Sequence, residues 1–444
     1  MGREARQRVP RSAHADWRPS PDRADPVEVL GAQDPARVQS LVPVRYERML
    51  ASAFTFYRGA AAIMAADLAT TPDTGLRVQL CGDAHLSNFG VFRSPDRRLV
   101  FDVNDFDETL PGPLEWDVKR LAASIAIGGR DRGFKRRERR RAVLRSVSAY
   151  REAMAEFAAM REIEVWYSRR DVAEISRALE GEASGADRRR LAKNVARARD
   201  RDSLRALSKL TEVRDGQIRI ASRPPLLVPI EEMAANEGID PEELSTMLTH
   251  LLASYQDTLE DSARALVERY RYVDAAHKVV GVGSAGTRSW IALLLGRGKS
   301  DPLILQLKEA GPSVLEPFAG PSAFDNHGRR VVVGQRLMQA SGDVLLGWVT
   351  VDGFDGQRRD FYVRQLWDGK GSAEIETMSP KRMTIYAGLC GWTLARAHAR
   401  TGDPGAITAY LGKSERFDQA IGDYAECYAD QNEADYQAVL KARR

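Results

Sequence analysis

Cys81-Gly82-Asp83-Ala84-His85-Leu86-Ser87-Asn88-Phe89-Gly90, followed after a short interval by Phe101-Asp102-Val103-Asn104-Asp105-Phe106-Asp107-Glu108, decides how this chain is read. Asp83 and Asn88 stand five apart in a loop-like segment, and an apolar strand then delivers a cluster of carboxylates. Phosphoryl transfer uses such a set: a carboxylate at the attacking hydroxyl, and an amide plus a carboxylate on magnesium. In this reading Asp83 orients or deprotonates the hydroxyl, and Asn88 gives its amide oxygen to the metal. Asp102 or Asp105 then bridges metal and nucleotide phosphates, because Mg²⁺ takes few protein oxygens and keeps phosphate and water. The plainer reading is a polar turn in which Asp83 and Asn88 cap helices. His85 is the one histidine of six in this region. A hydrolytic metal centre of His85 and the aspartates is a rival, but such centres usually recruit several histidines, so His85 is expected to brace the loop.

Outward from this stretch, Leu76–Leu80 alternates like a short strand, and Phe89–Phe92 with Leu99–Val103 reads as a hairpin around Ser94-Pro95-Asp96. Helical periodicity runs from Tyr46 to Leu68, over Trp116–Ile127, over Glu138–Ile163 and over Pro241–Tyr272. Residues 1–40 are polar and rich in Arg and Pro, which predicts an extended, partly disordered arm. Arg188–Arg201 reads as an exposed basic helix. After Asp274 the texture changes: Val279–Val282, Trp290–Leu295, Leu303–Leu307, Val344–Val351 and Phe361–Leu366 are strand-like, with a helix over Arg329–Gln339. From Lys381 onward the pattern is helical. The fold class is α+β, divided into an arm (1–40), a mainly helical segment (41–270), a sheet-rich unit (271–370) and C-terminal helices (371–444).

Two features of the sheet-rich unit complement the opening stretch. Gly281-Val282-Gly283-Ser284-Ala285-Gly286 is flanked on both sides by β-type residues, which makes a glycine hairpin over phosphates a better fit than a strand-to-helix dinucleotide turn. Taken alone it is also an ordinary hairpin turn. Leu303–Ala310 is a strand that carries Lys308, placed to reach nucleotide phosphates. The helix over Arg329–Gln339 contains no acid to pair with that lysine, so Gln335 or Gln339 is the expected substitute, with Glu309 and Glu316 the nearest acids.

Composition narrows the class. The chain has 444 residues, 43% apolar, and 66 basic against 62 acidic side chains leave a net charge of +4, so no nucleic-acid partner is demanded. No apolar run is long enough for a membrane span, and three scattered cysteines without CxxC spacing argue against a zinc site or disulfide framework. A cytoplasmic protein is expected, with no membrane partner.

The loop Gly82–Asn88 resembles that of the kinase-like phosphotransferases of the aminoglycoside and choline kinase type, which reads Gly-Asp-x-His-x-x-Asn. Phe56-Tyr57-Arg58-Gly59, Gly82–Gly90, Asn104–Glu108, Gly112–Asp117, Gly281–Gly286 and Gln306–Ala310 also resemble the recurrent segments of a bacterial family catalogued as domain of unknown function 2252. The kinase resemblance implies a two-lobed fold with ATP and Mg²⁺ as cofactors and an unidentified acceptor. Asp83 and His85 would be catalytic, Gly281, Gly283, Ser284, Gly286 and Lys308 would bind nucleotide, and Asn88, Asp102 and Asp105 would hold metal, Asp105 ahead of Asp102. It also implies that Asp117 braces the loop. One departure is large: in ordinary kinases the glycine loop and lysine precede the catalytic loop, whereas here they follow it. Leu394–Ala399 looks like the helix that normally feeds that loop, yet Asp403 has Thr408 at the fifth position. The expectation is a circularly permuted kinase-like fold. A non-catalytic nucleotide-binding protein on the same fold is the other reading.

Overall fold

Residues 1–178, 203–236, 238–279, 286–353, 355–366 and 369–443 are described in the computed structural model, with residues 185, 189, 193, 195–198 and 200 between the first two segments. The fold is mixed α+β with antiparallel sheets. Its helical body packs the helices Leu114–Asp131, Arg136–Phe157, Pro380–Ala399 and Arg416–Ala442 around one apolar core that also takes in Leu80, Leu86, Phe89, Val103 and Phe106. The helix Leu114–Asp131 begins after Pro113 with Glu115 and Asp117 in its first turn, where the helix dipole favours acids. It ends at Gly133 (φ +69°), whose N–H reaches Arg130 while Phe134 N–H reaches Gly129, so a left-handed residue closes the orphan carbonyls.

The largest sheet runs Gly347–Asp352, Arg358–Gln365, Pro302–Ala310, Ser289–Leu295, Arg271–Lys278 and Leu227–Pro229, in that spatial order and antiparallel throughout. Its central strand is covered on both faces, which explains the nearly unbroken apolar run Leu303–Leu307. Alternation sends Leu303, Leu305 and Leu307 to one face, against Tyr255, Leu259, Ala263 and Val267 of the helices Pro241–Gln256 and Asp261–Val267 and the turn between them. Ile304, Gln306 and Lys308 point to the other. There Ile291, Leu293, Ile304 and Leu366 pack on Ala206 and Leu210 of the helix Ser203–Leu210 and on Ile220.

A smaller sheet pairs Phe89–Arg93 with Leu99–Val103, placing Gly90 opposite Asp102. Gly90 must lack a side chain, since a Cβ would collide with the carbonyl oxygen of Gly371 and with Asn104 Nδ2. Arg77–Leu80 pairs separately with Leu110–Pro113. Among the described residues no helix is long and apolar enough to cross a membrane.

Several expectations are corrected. The first forty residues are not an extended arm: they form helices Gly2–Arg8 and Pro26–Gly31, bury His14, Trp17 and Leu30, and dock on the C-terminal helices. Arg6 Nε donates to Tyr410 O (3.0 Å) and Arg23 bridges Asp67 and Asp435. Such arginine anchors leave no apolar period to read. The Tyr46–Leu68 helix is three helices, Val42–Met49, Ala53–Gly59 and Ala61–Ala69, because Ser52 caps a new start. Pro241–Tyr272 is likewise split, and Arg271 already begins a strand. The strand expected at Val279–Val282 instead occupies Arg271–Lys278, with 280–282 outside the described residues. Half of the basic segment Arg188–Arg201 also lies outside them, and 189, 193 and 195–198 are helical.

Candidate active site

Strand Arg77–Leu80 delivers the chain to Gly82, where φ is +83° and a Cβ would collide with the carbonyl of Glu108. Glycine is therefore required by conformation and by space. The loop that follows is held from the helix Leu114–Asp131. Asp117, 1% exposed, accepts from Cys81 N–H at 2.8 Å and Gly82 N–H at 3.0 Å. His398 Nε2 lies 3.2 Å from the same carboxylate, and Tyr150 OH is 2.9 Å from His398 Nδ1. With Nε2–H donating to Asp117, Nδ1 is left to accept from the tyrosine, so three helices converge on two backbone amides.

Asp83 is gripped by Arg120, whose Nη2 and Nε lie 2.7 and 2.8 Å from Oδ1. Arg120 is itself stacked 3.8 Å over the Tyr57 ring and donates to Tyr57 O. His85 Nε2 is 3.6 Å from Asp83 Oδ2, too far for a hydrogen bond, and burial pushes its pKa down to about 3. It is a neutral ring packed in the loop. Asn88 donates from Nδ2 to Asp83 O at 2.8 Å, so Oδ1 is the atom of its amide able to accept or to ligate.

The carboxylates after the hairpin have distinct partners. Asp102, 3% exposed, accepts from Val103 N–H at 2.8 Å and is ion-paired with Arg396, which also donates to Met338 O. Asp107 accepts from Lys308 Nζ at 2.7 Å and from Tyr362 OH at 2.6 Å. Asp105 lies in the field of the same lysine: burial pushes its pKa up, but Lys308, Arg364 and Lys370 together hold it below the usual carboxylate range. Burial likewise opposes the charge of Lys308, and Asp105, Asp107 and Tyr362 outweigh it and raise its pKa. Lys370 goes the other way, pushed well below the ordinary lysine value by burial and by Arg364. Glu108 takes a hydrogen bond from Val314 N–H, and burial raises it to about 7. Arg58 is near enough to Glu376, Asp83 and Asp105 to feel their charge, and burial outweighs them and lowers its pKa. Lys308 is thus ion-paired with Asp107 and bears electrostatically on Asp105, while Asp83 is held by Arg120.

The helix His327–Met338 does not supply the partner of Lys308. Gln335 bonds to Gln339, and Gln339 donates to Val103 O. Asp107 takes the lysine because the loop it belongs to is tied down by Arg330, which donates to the carbonyls of Asp107, Thr109 and Gly311. Gly281, Gly283 and Ser284 lie outside the described residues. Gly286 (φ +92°) accepts from Val38 N–H at 2.8 Å and faces Arg37. Tyr255 is buried behind the sheet and donates its hydroxyl hydrogen to Leu345 O. Sequence reasoning missed Arg58, Asp107, Arg120, Arg364 and Lys370. Arg58 and Asp107 fall inside the segments singled out, whereas Arg120, Arg364 and Lys370 carry no local signal.

Among the described residues no three His, Cys, Asp or Glu side chains converge as a metal-binding set. The donors present are one amide oxygen and one anionic carboxylate with cations beside them, a set suited to an ion that arrives with phosphate. A family model described as an uncharacterized protein conserved in bacteria (DUF2252) matches residues 37–442, and the chain belongs to that family. No curated protein and no solved structure matches it.

Proposed function

We propose that this member of the DUF2252 family is an ATP- and Mg²⁺-dependent phosphotransferase whose kinase-like cleft is assembled in permuted chain order. One observation carries the reading: Lys308, on the third strand of an antiparallel meander, meets the Asp105–Asp107 segment across 201 residues, with Nζ 2.7 Å from Asp107. Phosphoryl transfer is mostly positioning and charge neutralisation, and each part has a named residue here. Lys308, Arg364 and Lys370 would bind phosphate oxygens. Asn88 Oδ1 and Asp105 would hold Mg²⁺, which when bound neutralises phosphate charge. Asp83, oriented by Arg120, would take the acceptor hydroxyl's hydrogen bond and its proton. His85, neutral and buried, fits a bracing role. Asp102 fits a structural one, because Arg396 already occupies it.

The permutation has its own support. The helix Pro380–Ala399 ends beside the strand that feeds the loop, with Thr401 Oγ1 accepting from Gln79 N–H at 3.0 Å across 322 residues.

The test is a thermal-shift titration with ATP and Mg²⁺. Lys308→Met should lose the ligand-induced shift, while Asp83→Ala should keep it and lose phosphoryl transfer to any acceptor. A shift retained in Lys308→Met sinks the assignment. Binding without turnover across a broad acceptor panel favours a non-catalytic nucleotide sensor, and tightly held transition metal without nucleotide favours a hydrolase.

A further inference from the structure

A cavity lies on the face of the six-stranded sheet opposite Lys308, and the phosphotransferase reading makes no use of it. It encloses ≈ 870 Å³ between that face and the helix Pro241–Gln256. Leu244, Met247, Leu248 and Leu251 line it from the helix, and Trp290, Ala292, Leu305 and Leu307 from the sheet. A volume of this size is within the usual range for small-molecule sites, and a methionine and leucine wall adapts to flexible apolar ligands.

A polar group inside this lining breaks the pattern. His277 sits opposite Trp290 on the neighbouring strand, its ring edge-on to the indole with centroids 5.4 Å apart. It is 8% exposed, and among the described residues its Nε2 has no hydrogen-bond partner. A buried unpaired imidazole nitrogen is costly, on the order of 1–3 kcal/mol. Arg288, which also lines the cavity, is close enough to bear on His277 electrostatically and is shared with Glu309 at 3.4 Å and with Asp355, another lining residue, at 3.9 Å. An apolar body with one anionic or hydroxyl end, met by an imidazole and an arginine, is complementary to this arrangement.

We propose that the cavity behind the sheet binds a long-chain fatty acid, its chain between the helix and the sheet and its carboxyl group at His277 and Arg288. The proposal stands independently of the phosphotransferase reading. Full-length protein is titrated with cis-parinaric acid, with energy transfer from tryptophan as the readout, and the probe is then displaced with palmitate or with hexadecane. Saturable binding is expected, with palmitate the better competitor. His277→Leu should weaken palmitate about tenfold, the value of one hydrogen bond, while hexadecane competes as before. Ala292→Phe, which fills the cavity from the sheet, should abolish binding with no fall in melting temperature; Leu248→Trp does the same from the helix if the first variant folds poorly. Unsaturable uptake, or binding unchanged in both filled variants, overturns the proposal.

Discussion

Asp117→Asn separates a brace from a bystander without any knowledge of the substrate. The carboxylate is 1% exposed and serves three donors: Cys81 N–H, Gly82 N–H and His398 Nε2. Asparagine keeps the shape but accepts through one oxygen only, so its NH₂ must face a former donor. One or two charge-assisted hydrogen bonds are lost, at about 1.5–3 kcal/mol each, and a buried N–H is left unpaired. A loss of about 4 kcal/mol follows. With an unfolding entropy of about 2.1 cal/mol/K per residue, a chain of 444 residues unfolding as a unit would melt roughly 4 °C lower. Calorimetry gives the melting temperature, and hydrogen exchange followed by mass spectrometry reads the amides of Cys81 and Gly82. Those two amides should lose protection ahead of the helices around them. Unchanged melting with unchanged protection would refute the view that this carboxylate holds the loop.

Asp102→Asn leaves Arg396 buried without its counter-charge and should cost about 3–5 kcal/mol, whereas Asp105→Asn should leave the fold intact and remove Mg²⁺-dependent nucleotide binding; equal loss of Mg²⁺ dependence in a folded Asp102→Asn would reverse the assignment. Glu108 has a folded pKa of about 7 against 4.5 for a free glutamate, so its contribution is fully present below pH 4.5 and is lost as the pH rises through 7, by up to about 3 kcal/mol. Glu108→Gln, which imitates the protonated acid, should gain on the wild type in melting temperature between pH 5 and pH 8, and a constant difference would count against it. Lys370, pushed well below the ordinary lysine value, should take up a proton when nucleotide phosphates arrive; titration calorimetry in buffers of different ionisation enthalpy should show uptake that Lys370→Met removes.

Where local physics decides, the chain is legible. Alternation located the hairpin Phe89–Phe92 with Leu99–Val103 and the strand ending near Lys308, and periodicity located the long helices. Element ends were poorer wherever one side chain, such as the capping Ser52, overrides an apolar pattern. Buried charge left little signal: Arg120 and Arg396 look in sequence like the exposed face of any helix, yet each is at most 2% exposed.

By itself the sequence determined which segments could be strands or helices and which loop carried Asp83 and Asn88, because those properties depend on neighbours a few residues apart. Tertiary structure alone decided which charges meet. Lys308 has no acid on the helix expected to provide one, and its partner Asp107 is 201 residues earlier in the chain. Asp102 meets Arg396, 294 residues away. An ion pair is stabilised by distance in space and by exclusion of water, and neither is encoded at any fixed spacing along the chain.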